Sequence, residues 1–316
     1  MREQASAPRP CATETRARFH GSVKKALCSQ STLLEHGEHC SLDPGRLASI
    51  GLVPGSQIRV RRNAQQFALY TVSETRQEAI DTSVRMALAA RQRLGTTYEF
   101  DALVDTQVPH PTFSDLDAET HSEFVERLDD DRCQRALVAI APHGGAIERH
   151  TDDQAERVAS LLGGERASAW RCKGFRAGGG AFERWHITSS DISGESFPLL
   201  RTILTRGFTH AVAFHGFSQP DVLVGGAAPL PLKREIAAAI ERVLAGSGIP
   251  VRIADSSEHY DGDSPANIVN RLSACGANGV QIEQSLEARN LHWQSIADAV
   301  ARVYSEKVER AFSAAV

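Results

Sequence analysis

Two histidines at the ends of apolar runs, together with one glutamate, are the residues in this chain best suited to metal chemistry. His143 follows the apolar run 136–141, and a Gly-Gly pair separates it from Glu148. His215 ends a second apolar run, 210–215, again just before a glycine. Two imidazoles and one carboxylate are a ligand set of catalytic zinc sites, which leave a fourth position for water. We predict that His143, Glu148 and His215 bind Zn²⁺; the alternative for His143 is a hydrogen-bonded loop histidine.

A further acidic residue lies at the end of a short apolar run, 279–283. In an extended strand Gln281 and Glu283 share one face, and the two apolar residues between them take the other. Burying a glutamate is costly unless it is paired or takes part in chemistry. Beside a zinc-bound water, Glu283 would be the general base and then the acid for the leaving amine. The alternative is a rim glutamate bonded to a neighbouring arginine.

Amide and guanidinium side chains near this glutamate could bind an anionic substrate. Asn270 and Arg271 end the loop 265–271 and could together hold a carboxylate. Arg289 follows Glu283 on the next turn and is a further candidate. The alternative for the loop is an Asx-type turn with a surface arginine.

Two other segments carry candidate substrate-binding residues. His186 falls in a strand-like run, 185–188, next to hydroxyl side chains, and we predict a substrate or second-layer contact rather than a metal ligand. Lys173 belongs to a basic group around the glycines 178–180. That group predicts a mobile basic rim, with an ordinary solvated loop as the alternative.

The second two thirds of the chain alternate apolar runs with amphipathic ones, which predicts an α/β fold with an open sheet and helices on both faces. Active sites of such sheets lie beyond the carboxyl ends of the strands, where both His-Gly motifs fall. The predicted strands are 136–141, 168–172, 185–188, 210–215, 222–224, 251–253 and 279–283. The predicted helices are 115–128, 152–162, 196–206, 232–245 and 295–312.

The first third of the chain has a different pattern. Residues 1–40 lack a sustained apolar period and predict a poorly ordered leader. Residues 41–97 predict a small β-rich module, with a hairpin formed by 57–61 and 67–72. A Leu-x-x-Gly sequence before the hairpin resembles small β-barrels of the double-psi or swapped-hairpin type. Residues 84–94 predict a helix, with a third strand as the alternative, and 98–316 form the predicted zinc hydrolase domain.

Composition excludes several classes of protein. The chain has 316 residues, a formal net charge of −4 and a pI near 6.3, which argues against nucleic-acid binding. No apolar run approaches the roughly 20 residues that a membrane span requires. The six cysteines include no Cys-x-x-Cys pair, which argues against a thiolate metal site. The N-terminus lacks the apolar segment of a secretory signal, so we expect cytoplasmic residence; no pattern indicates an oligomeric state.

Taken together, these motifs resemble the phage-type poly-γ-glutamate hydrolase family. The resemblance covers about 136–289 and rests on Ala-Pro-His-Gly-Gly-x-Ile-Glu, His-Ile-Thr-Ser, Phe-His-Gly, Asn-Ile-Val-Asn-Arg and Gly-Val-Gln-Ile-Glu in that order. It implies an open mixed sheet of the zinc carboxypeptidase type and a single zinc ion. It places the ligands at His143, Glu148 and His215 and the general base at Glu283. The implied activity is cleavage of γ-glutamyl amide bonds in poly-γ-glutamate.

Two other functions remain open from the sequence. The chain could be a zinc amidase acting on a cell-wall peptide with a γ-glutamyl link, or a regulatory protein that only binds γ-glutamyl ligands. Retention of all three presumed ligands and the base argues against the binding protein. A serine hydrolase is excluded because no Gly-x-Ser-x-Gly elbow occurs, and no phosphate-binding Gly-x-x-x-x-Gly-Lys loop is present.

Overall fold

The computed structural model describes residues 17–314, with side chains for 17–309. These residues form two parts, a closed β-barrel and a seven-stranded sheet covered by helices. The barrel comes first in the chain, and we refer to residues 106–314 as the sheet domain. None of the helices in the described residues is long and apolar enough to cross a membrane.

Six strands close the barrel in the order β1-β5-β2-β4-β3-β6, because β1 pairs antiparallel with β6. Closure leaves no unpaired edge. The barrel has its own apolar core, to which Ile58, Tyr70 and Val84 contribute fully buried side chains. The elements of this part are β1 Arg18–Lys25, α1 Ser31–Glu35, β2 His39–Leu42, α2 Pro44–Ser49, β3 Gln57–Arg61, β4 Phe67–Thr75, β5 Ser83–Met86, α3 Leu88–Arg93 and β6 Phe100–Asp105.

The prediction of a poorly ordered leader is wrong for its described part. β1 lies within residues 1–40 and hydrogen-bonds to β5 and β6, while residues 1–16 lie outside the described residues. The sequence of β1 gave little signal, because only Gly21 and Val23 in it are buried. The helix predicted over 84–94 is also wrong in its first part, where the alternative of a third strand, β5, is observed.

The sheet domain is built on seven strands in the order β12-β11-β13-β10-β8-β9-β7. The central pairs are parallel, whereas β7 and β9, and β11 and β13, are antiparallel, so the sheet is mixed. The strands are β7 Phe124–Asp129, β8 Leu137–Gly145, β9 Ala167–Gly174, β10 His210–Gly216, β11 Val222–Gly225, β12 Val251–Ile253 and β13 Gly279–Gln284.

Helices cover both faces of this sheet, which confirms the predicted fold class. One apolar cluster packs the long helices α5, α8 and α10 against one face, and a second packs α6, α7 and α9 against the other. The helices are α4 Asp115–His121, α5 Thr151–Leu162, α6 Ala181–Trp185, α7 Pro198–Ile203, α8 Leu230–Val243, α9 Ile268–Leu272 and α10 Leu286–Ala314, with a 3-10 turn at Ala274–Gly276.

Two predicted elements have a different structure. The helix expected over 115–128 ends at His121, because Ser122 takes a left-handed conformation (φ 56°) and the chain continues as β7. The strand expected over 185–188 is absent. Trp185 ends α6 instead, and the backbone then becomes extended at His186.

The barrel packs directly on the second face of the sheet. Phe67 and Leu69 of β4 join the apolar cluster that contains Trp185. Arg59 of β3, which is buried, forms a 2.7 Å ion pair with Glu123 of the sheet domain. The guanidinium of Arg59 also lies 4.9 Å from the centre of the Trp185 ring, so the two parts share both apolar and charged contacts.

Candidate metal centre

Three neighbouring parallel strands bring the predicted site residues to one edge of the sheet. His143 lies near the end of β8, His215 near the end of β10 and Glu283 near the end of β13. His215 and Glu283 are direct partners in the register of β10 and β13. Because β9 and β10 lie on opposite sides of β8, the chain reverses its winding there, and such points form ligand-binding crevices.

Glu148 reaches the same place through a tight loop after β8. Gly145 has φ 69°, a backbone conformation that residues other than glycine rarely adopt. The Glu148 N–H then donates to the His143 carbonyl over 2.8 Å, and the Thr151 hydroxyl donates to the Glu148 carbonyl over 2.8 Å. The loop thereby returns the carboxylate toward the end of its own strand.

The donor atoms of the three predicted ligands converge. His143 Nδ1 lies 3.2 Å from His215 Nδ1 and 3.3 Å from Glu148 Oε1. His215 Nδ1 lies 3.6 Å from Glu148 Oε2. Ligand atoms around a tetrahedral zinc ion, each a little over 2 Å from the metal, are about 3.3 Å apart. The three side chains therefore have the spacing of a first coordination shell.

Neighbouring backbone groups orient these donors. His143 Nε2 donates to the Ile187 carbonyl over 2.8 Å, which leaves the Nδ1 lone pair for a cation. The Gly216 N–H donates to Glu148 Oε2 over 2.9 Å and fixes the carboxylate. His215 Nε2 is buried and has no hydrogen-bond partner among the described residues. This donor set suits a metal ion.

Burial and mutual charge set the protonation of this cluster. All three residues are at most 4% exposed. Burial opposes charge on His143, but the Glu148 carboxylate outweighs it and raises the pKa of His143. Burial also opposes charge on Glu148, yet His143 and His215 hold its pKa well below the usual range. Burial lowers the pKa of His215 and so favours the neutral imidazole that metals require.

His186 lies against this cluster as well. Its ring centre is 4.2 Å from that of His143 and 4.2 Å from that of Phe182, on which it stacks. One ligand atom each of His143, Glu148 and His186 lie within 4.8 Å of one another, so these residues could also hold a metal ion. His186 is thus closer to a ligand position than the sequence prediction placed it.

Glu283 is held by a chain of side-chain amides. Gln281 Nε2 donates to Glu283 Oε1 over 2.9 Å, and Asn267 Nδ2 donates to Gln281 Oε1 over 2.7 Å. The second oxygen of Glu283 remains available to the cleft. Burial, and then the nearby Glu148 charge, raise the pKa of Glu283 well above its usual value, whereas Arg289 opposes the shift. Such a carboxyl group is suited to taking up a proton near neutral pH.

An open cleft of about 660 Å³ lies above these residues. Arg289 lines it, and its guanidinium packs so closely on Gly216 that a Cβ there would lie 2.4 Å from it. The lining residues are His143, Ile147, Glu148, Phe182, His186, Thr188, Ser189, Ser190, His215, Gly216, Phe217, Ser218, His259, Tyr260, Asp261, Gly262, Ser264, Asn267, Gln281, Glu283, Leu286 and Arg289.

Three residues predicted to bind substrate do not line this cleft. Asn270 is fully buried and donates to the carbonyls of the 262–264 turn, which makes it a structural residue. Arg271 donates to the Ile192 carbonyl over 2.6 Å. Lys173 is buried between Asp115 and Asp152, at 2.8 and 3.0 Å. The structure therefore does not support these three predictions, because none of the three side chains lines the cleft.

Sequence reasoning also missed contributors to the site. Asn267 stands in the segment singled out for Asn270, and only the fold decides which amide faces the cleft. Glu38 of the barrel accepts a hydrogen bond from His186 Nδ1 over 2.6 Å, although 148 positions separate the two residues. No local pattern could have indicated that contact.

A family model described as poly-gamma-glutamate hydrolase matches residues 110–313, more than half of the chain. This chain belongs to the poly-gamma-glutamate hydrolase family. The match leaves out the barrel and spans the whole cluster of His143, Glu148, His215 and Glu283. The family inferred from the sequence motifs is therefore confirmed.

Individual relatives are more distant. The SPbeta prophage-derived protein YoqZ of Bacillus subtilis (strain 168) is 29% identical over 157 residues, 49% of this chain and 51% of the relative, so this chain spans about half of that protein's length. A bacteriophage poly-gamma-glutamate hydrolase structure is 26% identical over 58% of this chain and 89% of its own, with a TM-score of 0.45. A putative carboxypeptidase from Burkholderia mallei is 11% identical over 81% of this chain and 80% of its own, with a TM-score of 0.38.

Proposed function

We propose that this protein is a zinc-dependent hydrolase that cleaves γ-glutamyl amide bonds, in poly-γ-glutamate or in a γ-glutamyl peptide. The observation that carries the proposal is the convergence of His143, Glu148 and His215 donor atoms at 3.2 to 3.6 Å beside a buried carboxyl group. Family membership supports the reaction class. When bound, the zinc ion would lower the pKa of a water molecule toward 7 and polarise the scissile carbonyl.

Glu283 is the proposed general base. Its Oε1 is occupied by Gln281, so Oε2 is the atom that would receive the proton from the attacking water and return it to the leaving nitrogen. The Asn267–Gln281 chain holds this carboxyl group in place throughout, which avoids reorientation during the reaction.

Arg289 is the proposed partner of the substrate carboxylate. Its guanidinium lines the cleft. Burial lowers the pKa of Arg289, and Glu148 and Glu283 lie close enough for both carboxylates to oppose that shift. A γ-linked glutamyl unit presents a free α-carboxylate beside the scissile bond, and a guanidinium matches that group in charge and geometry.

Replacing Glu283 by glutamine tests the proposal. E283Q keeps the size of the side chain and removes the base, so zinc content should stay stoichiometric while turnover falls by several powers of ten. Zinc is measured by elemental analysis and turnover by amine release from γ-linked diglutamate. E287Q, at an exposed position four residues later, is the matched control. Undiminished hydrolysis by E283Q, or a wild-type protein without zinc, would overturn the assignment.

A panel of γ-linked and α-linked glutamyl peptides defines the bond that is cleaved. We expect hydrolysis of the γ-linked members alone, because the cleft must place Arg289 against the α-carboxylate while the γ-amide meets Glu283. Equal rates on α-linked peptides would contradict that arrangement.

A further inference from the structure

One wall of the cleft, to which His186, Thr188 and Ser189 contribute, is held by the barrel. This wall is the loop of residues 186–196 that follows α6, here called the cleft loop. His39 Nε2 contacts Asp191 Oδ2 at 2.8 Å, and Gln57 Nε2 donates to the Asp191 carbonyl over 2.7 Å. The Ser193 N–H donates to Gln57 Oε1 over 3.2 Å. Both barrel residues are buried, so the loop takes its shape from the barrel.

Glu38, just before β2, makes the contact nearest to the reacting centre. One carboxylate oxygen, Oε1, lies 2.6 Å from His186 Nδ1. The other, Oε2, accepts from the Thr188 N–H over 3.0 Å and from the Thr188 hydroxyl over 3.2 Å. Burial opposes the charged form, but the His186 contact outweighs it and lowers the pKa of Glu38 to about 2. The ionised carboxylate can act at His186 only as an acceptor, so Nδ1 must carry the proton.

This contact decides which nitrogen of His186 faces the cleft. Nδ1 is occupied, so Nε2 is the nitrogen left for a substrate or an ion. Stacking on Phe182, with 20° between the rings, fixes the plane of the imidazole. Arg93 of the barrel donates to the His186 carbonyl over 3.3 Å and holds the backbone at the same residue. Tautomer, ring plane and backbone are therefore all set, two of them by the barrel.

We propose that Glu38 is a positioning residue contributed by the barrel, which holds His186 as its Nδ1–H tautomer with Nε2 presented to the cleft. The barrel is then part of the active site rather than an appended module. The catalytic consequence rests on the proposed hydrolase function, whereas the tautomer does not. A carboxylate that orients an active-site imidazole in this way is typically worth 10- to 100-fold in activity or metal affinity.

The tautomer is tested first, on metal-free protein. In ¹⁵N-histidine spectra at pH 8 we expect wild type to show His186 protonated at Nδ1, with the signal assigned by its absence in H186N. E38A should lose this pattern, because its partner is gone, and the matched variant E35A, at an exposed position three residues earlier, should keep it. An Nδ1–H tautomer that persists in E38A would overturn the proposal.

Kinetics then show whether Glu38 acts through His186. E38A should lower kcat by about 10- to 100-fold, while E38Q, which can keep an acceptor at Oε1, should lose less. In an H186A background, E38A should have no further effect, since residues acting as one unit are not additive. Full kcat in E38A, or losses that add, would overturn the proposal.

Two controls distinguish loss of the Glu38–His186 contact from misfolding of a variant and from an inactive wild-type protein. The urea unfolding midpoint of each variant is measured, and if E38A does not fold, E38Q and its cycle with H186A decide. If wild-type protein cleaves no γ-glutamyl bond, the proposed function fails, and the tautomer spectra still confirm or reject the Glu38–His186 contact.

Discussion

Arg289 and Arg271 show how placement separates two arginines that looked alike in the sequence. Arg289 lies in the cleft, and Arg271 is bonded to the Ile192 carbonyl outside it. A guanidinium that holds a substrate carboxylate contributes through charge-assisted hydrogen bonds, which are stronger than neutral ones.

We therefore expect R289Q to lower kcat/KM for γ-linked diglutamate by about 10- to 1000-fold, the effect of losing one charge-assisted contact in a desolvated site. R271Q, which makes the same change outside the cleft, should leave kcat/KM within a factor of about two. Steady-state kinetics on both variants measure this, and equal losses would show that the cleft has been assigned to the wrong arginine.

Asp130 provides a pH-dependent contribution to stability. Its two oxygens pair with Arg206 at 2.5 and 2.8 Å, and Ser168 donates to it over 2.6 Å. Burial opposes the charged form, but Arg206 and Ser168 outweigh it, so the pKa of Asp130 lies below its usual 3.8. Because the folded protein binds this proton less readily than the unfolded chain, the contribution is present above pH 4 and is lost as pH falls below it.

D130N should accordingly lower the free energy of unfolding by about 2–4 kcal/mol near neutral pH, since it leaves Arg206 partly buried without its partner. The difference from wild type should shrink as pH falls from 4 toward 2. Urea unfolding at several pH values measures it. A difference that stays constant across that range would exclude Asp130 as the source.

At the scale of elements, β9 is tied to two helices by one lysine. Lys173 pairs with Asp115 of α4 and Asp152 of α5, and Asp152 in turn accepts from the Gly145 N–H over 2.9 Å. The Lys173–Asp152 pair thus stabilises the loop between His143 and Glu148 through the Gly145 backbone.

We expect K173M to lower the free energy of unfolding by about 2–4 kcal/mol, because it leaves a buried carboxylate unpaired, while KM stays unchanged. K24M, which removes an exposed pair with Glu99 at 3.5 Å, should lower stability by less than about 1 kcal/mol. Urea unfolding and KM are both measured. A rise in KM in K173M would restore the basic-rim interpretation of the sequence.

The elements that the sequence predicted well are those whose pattern is local. Runs such as 210–215 and 279–283 are apolar because they are buried on both faces, and their ends carry His215 and Glu283. β1 and β7 were missed because their local signals are weak. β1 has few apolar residues, and β7 follows α4 with no glycine or proline between them to mark the boundary.

The site divides in the same way. The residues that converge at the ends of adjacent parallel strands could be predicted, because sheet topology brings such ends together. Asn270 and Lys173 could not be told from binding residues, since their partners lie on other elements. The contact of Glu38 with His186 could not be predicted from the sequence, because only the packing of the barrel on the sheet domain brings the two residues together.

At the scale of the whole molecule, the contact surface between the barrel and the sheet domain is part of an apolar core cluster. Phe67 and Leu69 belong to the same apolar cluster as Trp185, and Arg59 is buried against Glu123. Gln57 N–H also donates to the Ser196 hydroxyl over 2.7 Å. Such a surface couples the stability of the two parts.

We expect a single unfolding transition as a result. All three tryptophans lie in the sheet domain, so their fluorescence reports that part, while hydrogen exchange of β2–β5 amides reports the barrel. The two midpoints should coincide in urea, and R59M should move both downward together. Separate midpoints would show that the parts unfold independently.

The pairing of β1 with β6 has a consequence for how the chain is made. Every strand of the barrel lies before residue 106, so all six are synthesised before β7. Because synthesis runs from the N-terminus to the C-terminus, N-terminal domains tend to fold first. Residues 186–196 emerge later and meet a barrel surface that already carries Glu38, His39 and Gln57. The folded barrel then acts as a template for the conformation of this segment.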